Sequence, residues 1–274
     1  MKKMLIAVAL ASLTLPALAQ QKAPEPEYTL SGNVAIVSDY RYRGISQTDK
    51  KPAIQGGFDF AHKSGVYLGN WNSNVSSIGT APNGNMEMDF YGGYKFEAVG
   101  LSFDVGTIYY YYPGSVPFSD ITAAAAVKTP KINTHEVYVG MGYGPISLKV
   151  SNTLSKGYFG VGRNSDPSGS GPYGSAKGTV YYDLTLSHEI AQKTVLSAHV
   201  GYLDLDGDTG AAPFKVTDYK VGLAFDAGFA TIGLAYVGND INVAGKNNFT
   251  ATVPGRGAVK NYSDTVVLSL TKTF

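Results

Sequence analysis

From Tyr28 to the last residue, apolar and polar positions alternate in segments of about ten residues, the spacing of strands with one greasy and one polar face. About twelve such segments are predicted, near 29–42, 53–61, 66–74, 85–97, 100–112, 132–143, 145–155, 178–189, 193–203, 215–226, 228–238 and 260–274. Their connections alternate as well. After the even-numbered segments they are tight: His62 to Gly65, Ala98-Val99, Gly144, Ile190 to Gln192, and Ala227. After the odd-numbered ones they are long and polar, at 43–52, 75–84, 113–131, 156–177, 204–214 and 239–259. Short turns on one rim and long loops on the other are the layout of an outer-membrane barrel, with the short turns and both chain ends on the periplasmic side. A soluble β-sandwich, the competing architecture, has no reason to sort its loops this way.

The faces point the same way. The last segment places Tyr262, Val266, Leu268, Leu270 and Phe274 opposite Asn261, Ser263, Thr265, Ser269, Thr271 and Thr273. Segment 85–97 separates Met86, Met88, Phe90, Tyr94 and Phe96 from Glu87, Asp89, Lys95 and Glu97, and segment 178–189 sets Val180, Tyr182, Leu184 and Leu186 against Tyr181, Asp183, Thr185 and Ser187. Charges share a face with small residues and glycines, so the expected fold is an all-β, closed antiparallel transmembrane barrel, apolar toward lipid and polar toward a lumen. Closure is required because unpaired edge groups in hydrocarbon cost several kcal/mol each. The first segment must therefore pair with the last.

Residues 1–19 read as a signal peptide: Lys2 and Lys3, an apolar stretch from Met4 to Leu15, then the small-residue cleavage site Ala17-Leu18-Ala19. Residues 20–28, with Pro24 and Pro26, form a predicted periplasmic lead-in, and 29–274 the barrel, located in the cell outer membrane. No stretch reaches the roughly 18 apolar residues a membrane helix needs. Removing Lys2 and Lys3 turns the net charge from +1 to −1, which argues against a nucleic-acid partner. The absence of cysteine removes a disulfide framework, a lipoprotein anchor and thiolate metal ligands. The 20 Tyr and 12 Phe beside 16% charged residues fit aromatic girdles at two membrane interfaces.

Charges predicted to line the lumen are Asp39, Arg41, Arg43, Asp59, Glu87, Asp89, Lys95, Glu97, Asp104, Glu136, Lys149, Asp183, Asp218 and Lys220. Nine acids against five bases either give a weak cation preference or brace the pore through cross-lumen salt bridges. Arg41 and Arg43 share a predicted strand face; they form a basic mouth for anionic solutes or pair with Asp59 on the neighbouring strand, of which pairing is expected. Eight strands fill with side chains and 16 to 18 leave an open channel, so about twelve leave a narrow passage. The loop 113–131, with its alanine-rich Ile121 to Val127, is expected to constrict it. In the run Tyr109 to Tyr112, alternation sends two rings to lipid and two inward, where they pack or stack on a solute.

Other chemistry is thin. Asp204, Asp206 and Asp208 around Gly207 are a fragment of a calcium loop without its bidentate acid. Histidines are limited to His62, His135, His188 and His199. His62-Lys63-Ser64 faintly resembles the His-x-Ser motif of outer-membrane phospholipase, but falls on a predicted periplasmic turn. No Gly-x-Ser-x-Gly elbow or phosphate-cradling loop is present, so no enzyme, cofactor or metal is expected.

Several stretches resemble the TorF family of porins, proteobacterial outer-membrane proteins. They are Ser38 to Thr48 (SDYRYRGISQT), Pro52 to Asp59 (PAIQGGFD), Gly69 to Val75 (GNWNSNV), Glu87 to Tyr94 (EMDFYGGY) and Leu268 to Phe274 (LSLTKTF). The resemblance implies an outer-membrane pore for a small hydrophilic solute the family does not specify. Phe274, with Leu270, Leu268 and Val266 at alternate positions before it, is similar to the strand read by the barrel-assembly machinery. Lys272 departs from that pattern and is placed to snorkel at the periplasmic rim. The expected function is passive diffusion of small hydrophilic solutes, and the alternative is a structural barrel or a surface receptor or adhesin without an open pore.

Overall fold

The computed structural model describes residues 26–76, 85–115, 132–159, 175–205, 215–241, 250–253 and 257–274. The predicted signal peptide, most of the lead-in, and Asp206, Asp208 and nearly all of the expected constricting loop 113–131 lie outside the described residues.

The strands are β1 (Tyr28–Val37), β2 (Arg41–Tyr42), β3 (Ile45–Ser46), β4 (Ala53–His62), β5 (Val66–Asn74), β6 (Met86–Ala98), β7 (Leu101–Tyr111) and β8 (Thr134–Tyr143). They continue as β9 (Ile146–Thr153), β10 (Val180–Ala191), β11 (Thr194–Asp204), β12 (Lys215–Asp226), β13 (Thr231–Asn239), β14 (Thr250–Val253), β15 (Gly257–Lys260) and β16 (Thr265–Thr273). Twelve of them close a barrel in the order β1-β16-β13-β12-β11-β10-β9-β8-β7-β6-β5-β4. The pairs β2–β3 and β14–β15 are separate hairpins.

Closure joins the chain ends as expected. β1 runs antiparallel to β16, from Asn33 opposite Thr273 to Val37 opposite Ser269. The seam is finished by Gly32 N–H donating to Phe274 O at 2.8 Å and Phe274 N–H to Gly32 O at 2.9 Å. Gly32 is needed there: a Cβ would stand 2.7 Å from Cε2 of the Phe274 ring.

Alternation sorts the side chains. Outward positions carry Leu30, Ile36, Ile54, Phe58, Leu68, Val139, Leu184, Val221, Leu234 and Leu268, all well exposed, with Leu30 at 69% and Ile54 at 66%. Inward positions carry the buried Ser73, Glu87, Asp89, Glu136, Ser151 and Asp218. An apolar skin this continuous is incompatible with water and matches a hydrocarbon slab. The ten residues of β1, tilted about 40° at about 3.3 Å per residue, rise about 25 Å, the height of such a slab.

Two boundaries differ from expectation. The predicted first strand, 29–42, ends at Val37, and residues 38–52 fold into the lumen around the β2–β3 hairpin. The predicted last segment, 260–274, enters the wall only at Thr265; Tyr262, expected to face lipid, packs against the interior cluster. Asp264, on the apolar parity of Tyr262 and Val266, marks the second break, but alternation continues from Asp39 to Arg43, so periodicity alone does not see the first. The local turn does: Arg43 (φ 46°) and Gly44 (φ 78°) both sit at positive φ, as a type I′ hairpin turn requires. Those inward segments bring a hydrophobic core inside the barrel, at the long-loop end, formed by Tyr40, Tyr110, Tyr112, Ile132, Tyr158, Phe159, Leu203 and Val216.

Candidate functional site

The hairpin crosses the lumen and is fastened on both sides. Toward β6 to β8, the Tyr40 hydroxyl donates to Glu87 Oε1 (3.1 Å) and the Tyr42 hydroxyl to the Tyr110 hydroxyl (3.0 Å). Arg43 forks onto Glu136, Nη1 to Oε1 at 3.1 Å and Nη2 to Oε2 at 2.9 Å, and Nη1 also donates to the Tyr158 hydroxyl at 2.5 Å. Its guanidinium lies over the Tyr181 ring at 3.9 Å and the Tyr42 ring at 4.9 Å. Burial works against the Arg43 charge, but the facing Glu136 carboxylate outweighs it, so the guanidinium pKa is raised above the ordinary arginine value. Bidentate geometry, cation–π contact and exclusion of water make this one of the stronger ion-pair arrangements available to a side chain.

Toward β13 and β16, Gly44 O accepts from Asn239 Nδ2 at 3.0 Å. Arg41 donates to Asp39 Oδ2 at 2.7 Å and to the carbonyls of Asn261 (3.1 Å) and Ser263 (3.0 Å), and Lys50 Nζ donates to Ser263 Oγ. Gly44 is required here also, since a Cβ would lie 2.9 Å from both Asp218 Cβ and Gly238 O.

Beneath this roof is a chamber of about 510 Å³, lined by Arg41, Arg43, Tyr91, Asp104, Tyr138, Lys149, Asp183, His199, Asp218 and Lys220, among others. On one wall, Asp104 accepts from the Tyr67 hydroxyl (2.6 Å) and Asp59 from the Tyr91 hydroxyl (2.5 Å). Lys95 Nζ sits 4.8 Å from the Tyr67 ring centre. On the other wall, His199 bridges two carboxylates, with Nε2 2.8 Å from Asp218 Oδ1 and Nδ1 3.1 Å from Asp183 Oδ1. Lys149 lies 5.5 Å from the Tyr138 ring centre, and Lys220, opposite His199 in the ladder, is exposed. Glu97 is exposed near the short-turn end of β6, whereas Glu87 and Asp89 are buried against the hairpin.

The expected pairing of Arg41 and Arg43 with Asp59 is overturned: their partners are Asp39 and Glu136, because the chain leaves the wall at Ser38 and carries both arginines away from β4. Residue-level reading overlooked the tyrosine clamp around Arg43 and the bridging role of His199. A signal existed for His199, whose parity with Ser197 and Gly201 turns it inward beside Asp183 and Asp218. Tyr109 and Tyr111 face outward while Tyr110 and Tyr112 are buried inside. The His62–Ser64 contact, Nδ1 to Oγ at 2.8 Å, belongs to an exposed turn in which Ser64 N–H also donates to Nδ1. Asp204 Oδ1 lies 3.6 Å from Lys215 Nζ.

A closed twelve-stranded barrel, apolar outside, charged inside and crossed by an inward loop, defines the porin-like class of outer-membrane folds. Within it, the chain belongs to the family described as "Bacterial protein of unknown function (Gcw_chp)", matched over residues 21–274. No curated protein matches the chain by sequence. Among solved structures, the NanC porin is 9% identical, with 89% of this chain and 98% of that chain covered and a TM-score of 0.51. The KdgM porin in complex with disordered oligogalacturonate is 7% identical, with coverages of 89% and 97% and a TM-score of 0.47. OmpT of Vibrio cholerae is 13% identical, with coverages of 90% and 97% and a TM-score of 0.39. At these identities the NanC likeness is one of fold.

Proposed function

We propose that this protein is an outer-membrane channel for passive diffusion of small hydrophilic solutes, with the β2–β3 hairpin as its constriction. The observation that carries this reading is the charged chamber of about 510 Å³ enclosed by a wall whose outside is apolar. A structural barrel has no need of charges on the inside of its wall, where burying them costs free energy unless each is solvated or paired. The resemblance to TorF porins supports the same reading, and its partners would be outer-membrane lipid, the solute, and the assembly machinery at Phe274.

Selectivity follows from which charges remain once pairs are removed. Arg41 with Asp39 and Arg43 with Glu136 cancel, and Glu87 and Asp89 are buried. Asp59, Glu97, Asp104, Asp183 and Asp218 then face Lys95, Lys149, Lys220 and His199, whose two ring nitrogens each sit against a carboxylate, a slight acidic excess that favours cations weakly. Purified protein in a planar bilayer should give discrete current steps with a small cation-selective reversal potential in a salt gradient. Silent bilayers from correctly folded protein would favour the second reading, a closed barrel acting through its outer loops. The packing of Tyr42 and Tyr110 on Phe159 across the roof, at 5.2 and 4.9 Å between ring centres, is the feature that favours closure.

A further inference from the structure

Two carboxylates near the long-loop end of β6 are left without compensation. Glu87 and Asp89 are inward positions two residues apart on one strand, so their Cβ atoms are about 7 Å apart and their carboxylates can converge. They are 1% and 6% exposed. The Tyr40 hydroxyl occupies Glu87 Oε1, but Glu87 Oε2 and Asp89 Oδ1 are buried with no hydrogen-bond partner.

What surrounds them is neutral. Across the ladders Asp89 faces Trp71 and Tyr110, and Glu87 faces Ser73. Tyr40 covers the pair from the hairpin, its ring 5.3 Å from that of Trp71. Neither acid makes an ion pair with a described residue, and the nearby Arg43 is committed to Glu136. Two adjacent buried carboxylates with free oxygens and no positive partner are a costly arrangement unless a proton or a cation supplies the missing charge. The groups at hand are oxygens only, from the two carboxylates and from the hydroxyls of Tyr40 and Tyr112 beside Glu87, which suit a hard ion.

We propose that Glu87 and Asp89, behind the inward hairpin, form a binding site for a hard divalent cation of the calcium type. No third carboxylate or imidazole joins them among the described residues. Hydroxyls and water therefore complete the shell, and affinity falls in the weak range of extracellular calcium modules, on the order of 0.1–1 mM. The site stands whether or not the barrel conducts.

Trp71, the chain's single tryptophan, lies directly opposite Asp89 and provides a local antenna. Terbium(III) titrated into the folded protein in detergent should give sensitised emission on indole excitation, saturating and displaced by calcium. The double variant E87Q/D89N, which keeps side-chain shape and removes the charge, should weaken binding at least tenfold, while D226N in a short turn should not. Heat-modifiable gel mobility verifies that each variant is folded. If E87Q/D89N fails to fold, W71F replaces it and should abolish the emission. Absence of sensitised emission from the native protein, or emission unchanged in E87Q/D89N, would overturn the proposal. Absent emission would mean that the two acids share a proton in place of an ion, and unchanged emission in the variant would place the bound ion elsewhere. Current steps in a bilayer are an independent readout, so failure of the channel reading leaves this result interpretable.

Discussion

Arg43 concentrates the chemistry of the constriction. Its guanidinium is forked onto Glu136, bonded to Tyr158 and stacked on Tyr181, with the Arg43 and Glu136 side chains almost wholly buried. Replacing Arg43 by Ala leaves Glu136, 1% exposed, as an uncompensated buried charge, a change that costs about 3–5 kcal/mol in comparable pairs. The hairpin should then release from β8, and single-channel records of R43A should show larger and noisier steps than the native protein. R43K should not restore the native record, because an ammonium cannot make the planar two-bond contact. Conductance of R43A equal to the native value would show that the hairpin does not set the narrowest point.

At the scale of the strand, alternation does the sorting, and it was also the most legible signal in the sequence. The two faces of β6, β10 and β16 were readable because a period of two is imposed by the pleat itself. The plug was not readable because Asp39 to Arg43 continue that period while leaving the wall, and the departure is marked by positive φ at Arg43, Gly44, Asp49 and Lys50. The partners of Arg41 and Arg43 were lost with it, since a contact such as Arg43 to Glu136 joins positions 93 apart in the chain. The outward face makes a direct prediction. Val139, mid-way along β8 and 54% exposed, should tolerate Arg poorly, at a cost of about 2–4 kcal/mol in unfolding from lipid vesicles. Arg at the inward Ser197, which lines the chamber, should cost far less. Equal costs at the two positions would contradict the assigned orientation.

The molecule as a whole is organised around its seam. β1 meets β16, and Phe274 contributes both a pair of backbone hydrogen bonds to Gly32 and a ring laid over that residue. Deleting Phe274 should therefore slow insertion into vesicles catalysed by the assembly machinery and lower the yield of heat-modifiable barrel. An Ala in its place should recover the backbone bonds but not the recognition. Native insertion rates for the deletion would remove Phe274 from any role in assembly. The hairpin is tied to the same seam. It springs from the end of β1, and Arg41 and Ser46 take their acceptors from Asn261 and Ser263, in the approach to the final strand. The plug thus has its contacts to β6, β7 and β8 from within the wall, but one of its two sides is fastened only when the last strand arrives. A barrel not yet closed there holds its plug by one side alone, and the narrow point takes its final form only as the wall is completed.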